Sequence, residues 1–137
     1  MRQQTASYKQ QSEKNDIIMK IPTAIEEGKD KGGKELIEIA DKTGQLLMKN
    51  GVTVTQLRKI YNEVRNIDTC DDNCFFKTNM FKAKMAYAAG RFEGLRDFYD
   101  IVANFIDYIN GDKERLNRFK QYFEAVVAYN RYYSRKE

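Results

Sequence analysis

The stretch FKAKMAYAAGRFEGLRDF, residues 81–98, mixes the small, apolar and aromatic residues of a packed interior with Lys82, Lys84, Arg91 and Arg96. It also places Gly90 and Gly94 where a helix favours alanine. Just upstream, Phe76, Met80, Ala83 and Tyr87 recur at intervals of four, three and four residues. This spacing predicts a helix from about Cys74 to Arg91, with those four residues as its core stripe. Gly90 continues the stripe. A glycine on a buried face lets another backbone come close, at a cost of about 1 kcal/mol in propensity. Phe81, Met85, Ala86, Ala88 and Ala89 make the helix apolar over much of its remaining circumference. Such a helix is central in a bundle, or it is buried by another chain.

The charges of the same segment are also periodic. Lys77, Lys84 and Arg91 recur every seven residues, so on a helix they form one row, drifting only about 20° per step. The row is roughly 21 Å long with charges some 10 Å apart, a spacing able to follow a phosphate backbone. A solubilising stripe would have the same pattern.

Downstream, Gly94 opens a turn into a helix with Leu95, Phe98, Val102, Phe105 and Ile109 on one face. Asn110-Gly111-Asp112 reads as a turn in which Asp112 caps the next helix. That helix has Leu116, Phe119, Phe123, Val126 and Asn130 as its stripe and Arg115, Arg118, Lys120 and Arg131 on other faces. Arg131, Arg135 and Lys136 also suit a helix C-terminus. Upstream, Thr53 or Thr55 caps a helix whose apolar face is Leu57, Ile60, Tyr61 and Val64, with Arg58, Asn62 and Arg65 beside it. Before it, Leu36, Ile39, Ala40 and Leu47 mark a helix from Lys34 to about Asn50, stopped by Gly51 and open to a break at Gly44. Residues 28–33 read as a glycine-rich hinge, residues 16–27 as an arm or short helix around Pro22, and residues 1–15 as disordered. The expected fold is all-α: a single-domain bundle of about five mostly antiparallel helices over residues 34–137, preceded by a flexible N-terminal arm, residues 1–33.

Composition fits this. The chain has 137 residues with one proline and eight glycines, too few turn signals for many short strands. No apolar run is long enough to span a membrane, and the first fifteen residues lack a signal-peptide core, so a cytoplasmic location is expected. Histidine is absent, which removes the usual general base near neutral pH. No G-x-S-x-G, P-loop or Rossmann glycine pattern occurs. Cys70 and Cys74, spaced C-x-x-x-C, read as structural or incidental, since the chain holds no second cysteine pair for a metal site. No catalytic residue, cofactor or metal is expected. The net charge of +4 lies wholly in residues 76–137, with 12 basic and 8 acidic side chains; this favours a polyanionic partner. Seventeen aromatic residues offer stacking surfaces for bases, but most fall on core stripes, and only Tyr132 and Tyr133 read as exposed.

Three stretches together resemble one family. GVTVTQLRKIYNEV, KAKMAYAAGR and FKQYFEAVVAY are similar, in order and spacing, to segments of the small helical subunit of the type III-A CRISPR effector, the Csm complex. The resemblance spans about residues 50–133. It implies a non-catalytic subunit that stacks as an inner filament along the guide RNA (crRNA) and its paired target RNA. Such a subunit grips backbone while base pairing supplies sequence choice. Its partners would be crRNA and target RNA, other Csm-complex subunits and copies of itself, and an isolated chain would dimerise through surfaces meant for neighbours. A role in monitoring guide–target complementarity is also implied. By motif position the implied RNA contacts are Arg58, Lys82, Lys84, Arg91 and Lys120. The periodic row adds Lys77 and supports Lys84 and Arg91; Arg118 and Arg131 are lesser candidates. Thr55, Tyr87 and Glu124 read as a cap, a core residue and a structural hydrogen-bond partner. Two other readings remain: a DNA-binding regulator using TVTQLRKIYNEVR as a recognition helix, and a protein-interaction bundle without nucleic-acid contact.

Overall fold

The computed structural model describes residues 2–134. It contains six α-helices and, among the described residues, no strand: α1 Arg2–Ala24, α2 Lys34–Lys49, α3 Val54–Arg65, α4 Cys74–Arg91, α5 Arg96–Ile109 and α6 Lys113–Ser134. A single 3-10 turn, Glu93–Leu95, joins α4 to α5. The all-α expectation holds. The bounds of α4 are those its spacing predicts, and two helix starts follow the expected chemistry. Thr53 and Gln56 form a reciprocal capping box at α3. The Asp112 carboxylate accepts from the Glu114 and Arg115 amides at the start of α6. Arg135 and Lys136 lie outside the described residues.

The core is built around α6, which packs against α2, α3 and α5. Its Leu116, Phe119, Tyr122, Phe123 and Val126 are fully buried. Phe123 is the hub of an aromatic cluster, with ring centroids 5.2 Å from Phe98, 5.9 Å from Phe81 and 6.0 Å from Tyr61. Tyr122 stacks on Phe105 at 4.3 Å. Its hydroxyl meets Thr43 at 2.8 Å, and Thr43 in turn donates to the Ile39 carbonyl, so the buried hydroxyls are satisfied. Burial pushes the Tyr122 phenol well above its ordinary range.

Three expectations need correction. Residues 16–25 belong to the bundle instead of a flexible arm: Ile17, Ile21, Ala24 and Ile25 are fully buried, and α1 lies against α2 and α5. The sequence hides this because one proline and scattered charges blur the period, while the partners that bury those isoleucines are distant in the chain. Pro22 sits in the last turn of α1, where the missing amide costs a single bond.

The second correction concerns α4. It buries Cys74, Thr78, Phe81, Met85 and Ala89, the face opposite the predicted stripe. Phe76, Met80 and Tyr87 are 67%, 46% and 70% exposed. On a helix apolar nearly all round, periodicity is satisfied by either face. The choice is made by Phe81, whose ring meets Phe119 and Phe123. So α4 lies at the rim of the bundle.

The third concerns glycine. Beyond the backbone of its own helix and its chain neighbours, no atom lies within 4 Å of a Cβ placed on Gly90, whereas one on Gly44 would sit 2.8 Å from the Asn130 amide nitrogen and from Tyr129 Cβ. Gly44 therefore does not break α2; it lets α6 cross it closely. Gly94 has the same role against the Asn50 carbonyl oxygen, which lies 2.5 Å from where a Cβ would stand. Gly44→Ala is expected to destabilise by about 1–3 kcal/mol through overpacking, while Gly90→Ala stabilises by up to about 1 kcal/mol. Urea unfolding of the two variants reads the opposite signs; equal shifts would contradict the packing described.

Candidate nucleic-acid interface

The eight cationic residues expected to meet RNA fall into five settings. Arg58, on the capped helix α3, is exposed, as is its neighbour on the same flank, Arg65. Among the described residues no carboxylate lies within ion-pair distance of either. On α4, Lys77, Lys84 and Arg91 are all exposed, in a row as expected. Lys77 bonds Asp71 at 2.5 Å and Lys84 bonds Glu63 at 3.1 Å. The hydrogen bond between Lys77 and Asp71 holds the ammonium pKa above its ordinary value and the carboxyl below its own. Arg91 has no carboxylate partner among the described residues; its guanidinium lies 5.5 Å from the Phe92 ring centroid.

Lys82 projects to the other side of α4, where it bonds Asp107 of α5 at 3.0 Å. Arg131, in the last turn of α6, is exposed.

Arg118 and Lys120 are corrections, because both are committed to the fold. Arg118 is buried. It donates to the Ala24 carbonyl at 2.7 and 3.1 Å, to the Asp30 carbonyl at 3.1 Å and to the Asp30 carboxylate at 2.8 Å. The Asp30 carboxylate also accepts from the Glu35 and Leu36 amides, 3.1 and 3.0 Å away, so it terminates α2 while binding α6. Lys120 donates to the Ile67 carbonyl just beyond α3. Thr55 is not the cap, since Thr53 is, and Tyr87 is not a core residue, being exposed on α4.

A furrow of about 300 Å³ separates α3 from α4, lined by Glu63, Asn66, Ile67, Lys77, Met80 and Lys84. At about 100° per residue, Arg58 and Arg65 lie on one flank of α3 and Glu63 on the other. The arginine pair and the α4 row therefore straddle α3, roughly one helix diameter, about 10 Å, apart. Two charged edges with a furrow between them present more cation than carboxylate outward. Such an arrangement could hold a polyanion, and no group of acidic and cysteine ligands able to hold a metal ion occurs among the described residues. The neutralising carboxylates are Glu63, Asp71 and Asp107. They come from three different elements, and no local pattern in the sequence connects them to the lysines.

The described residues define an all-helical domain with cations displayed along α3 and α4. The family model described as Csm2 Type III-A matches residues 30–136. The chain thus belongs to the Csm2 family, the small subunits of type III-A Csm complexes. It is similar to the CRISPR system Cms protein Csm2 of Enterococcus italicus, with 28% identity over 102 residues, covering 65% of this chain and 73% of that protein. No solved structure matches significantly. No helix among the described residues is long and apolar enough to cross a membrane.

Proposed function

We propose that the chain is a non-catalytic Csm subunit that stacks with copies of itself beside crRNA and target RNA and holds their sugar-phosphate backbone. The observation that carries this reading is the trio Arg58, Arg65 and Arg91, exposed and without carboxylate partners among the described residues. A guanidinium fork matches phosphate geometry and stays charged at any working pH. Lys77, Lys84 and Lys82 join when phosphate displaces Asp71, Glu63 and Asp107, and Arg131 extends the surface at the end of α6. Sequence choice stays with base pairing, so the subunit needs only to follow the shape of the paired guide and target. The absence of histidine from the sequence fits a subunit that leaves the chemistry to others. A cytoplasmic location follows from the same reading.

A gel shift with single-stranded RNA, guide–target duplex and double-stranded DNA separates this from a DNA-binding regulator. RNA forms should be retained and DNA released at moderate salt; preference for DNA would overturn the reading. If Glu63 holds Lys84 back from phosphate, Glu63→Gln should tighten RNA binding roughly two- to fivefold, the range of an exposed ion pair. Unchanged or weaker binding would remove Lys84 from the contact set.

A further inference from the structure

Backbone contact with RNA leaves the exposed rings of α4 unexplained. Phe76, Met80 and Tyr87 stand in water on the face opposite the chain's own core, and Phe92 follows at the end of the helix. Ala83 and Gly90 share that face and carry little or no side chain, so the rings stand clear of the helix surface. Phe76 and Tyr87 are eleven residues apart, about 16 Å along the axis. This is the length of roughly five stacked nucleotides at about 3.4 Å each.

The cationic row beside the rings identifies what they receive. At about 100° per residue, Lys84 lies about 40° round the helix from Met80 and about 60° from Tyr87, Arg91 about 40° from Tyr87, and Lys77 about 100° from Phe76. Positive charge therefore accompanies the rings along their whole length, on one side of them. The Arg91 guanidinium, 5.5 Å from the Phe92 ring centroid, joins the two features. A helix of another protein laid over the rings would crowd that row. A nucleotide strand meets both features at once, with phosphates on the cations and bases on the rings, as in single-strand sites that read no sequence. A duplex cannot use the rings in this way. Its bases are stacked on one another, and the deep major groove of A-form RNA excludes side chains.

We propose that the outer face of α4 is a platform for unpaired RNA nucleotides, whose bases stack on Phe76, Tyr87 and Phe92 while Lys77, Lys84 and Arg91 follow their phosphates. The inference rests on the RNA-backbone reading above and goes beyond it. Arg58 and Arg65 hold phosphate whether the strand is paired or not, whereas the rings of α4 distinguish a single strand from a duplex. Because every base has a π-face, the platform is indifferent to sequence.

The test uses the full-length chain with a short RNA single strand carrying 2-aminopurine, and with the same strand annealed to its complement. Phe76→Leu/Tyr87→Leu keeps apolar bulk on an exposed face and removes both rings; Tyr87→Phe keeps a ring. The double variant should lose roughly 10- to 100-fold in single-strand affinity, the effect of removing stacking partners. Its duplex affinity should change by less than about twofold and its salt slope should be unchanged, since the phosphate contacts remain. The wild-type chain and Tyr87→Phe should quench the 2-aminopurine fluorescence, and the double variant should quench it much less. Equal losses for the two RNA forms, or no loss for either, would overturn the platform and leave the backbone reading standing. Failure of the wild-type chain to hold either form would sink both. Single-strand affinity retained by a double variant that no longer joins the assembled complex would overturn the platform in favour of a protein neighbour.

Discussion

Asp30→Ala is expected to destabilise the chain by about 3–5 kcal/mol, the cost of leaving a buried charge without its partner. Two losses combine. Arg118, buried beneath the α1–α2 connection, keeps its carbonyl acceptors but loses the carboxylate 2.8 Å away. The Glu35 and Leu36 amides at the start of α2 lose their acceptor as well. Arg118→Met should cost less, because Asp30 would keep those two backbone donors and the methionine stem fills much of the same space. Urea unfolding followed by circular dichroism measures both. A change below about 1 kcal/mol for Asp30→Ala would mean that the residue 25–33 connection is not fastened to α6 in this way.

The second large effect is on RNA. Replacing Arg58, Arg65 and Arg91 together by alanine should weaken RNA retention by the assembled complex on the order of 100-fold at low salt, with the fold intact, since all three are exposed. Removing Lys77 and Lys84 instead should cost less, because each already spends its charge on a carboxylate of the chain. The order of the two effects is the informative part. If the lysine pair mattered more, Asp71 and Glu63 would have to be displaced at no cost, and the unpartnered arginines would lose their special place.

Much of the architecture is legible in local chemistry. Thr53, Asp112 and Gly51 mark helix ends because caps and stops are made by neighbours in sequence. The stripes of α5 and α6 read correctly because each has a single apolar face. The failures share a different cause. Both faces of α4 satisfy the helical period, and only the distant Phe119 and Phe123 decide between them. Arg118 and Lys120 look like solvated cations until the α1–α2 connection and the end of α3, far away in the chain, fold over them. Gly44 and Gly90 are indistinguishable in sequence, yet one is pressed by α6 and the other faces open space. The site is half legible for the same reason: the row of Lys77, Lys84 and Arg91 is periodic, but the acids that neutralise two of its members are not.

Cations of α3 and α4 meeting phosphate are the centre of the proposed function. The most direct measurement is the salt dependence of RNA binding by the assembled complex, with wild-type subunit and with Arg58, Arg65 and Arg91 replaced by alanine. The expected result is a plot of log affinity against log salt that is shallower by roughly two to three units in the variant, one released counterion for each lost contact. Parallel lines for the two proteins, with assembly intact, would show that these residues do not touch the RNA backbone.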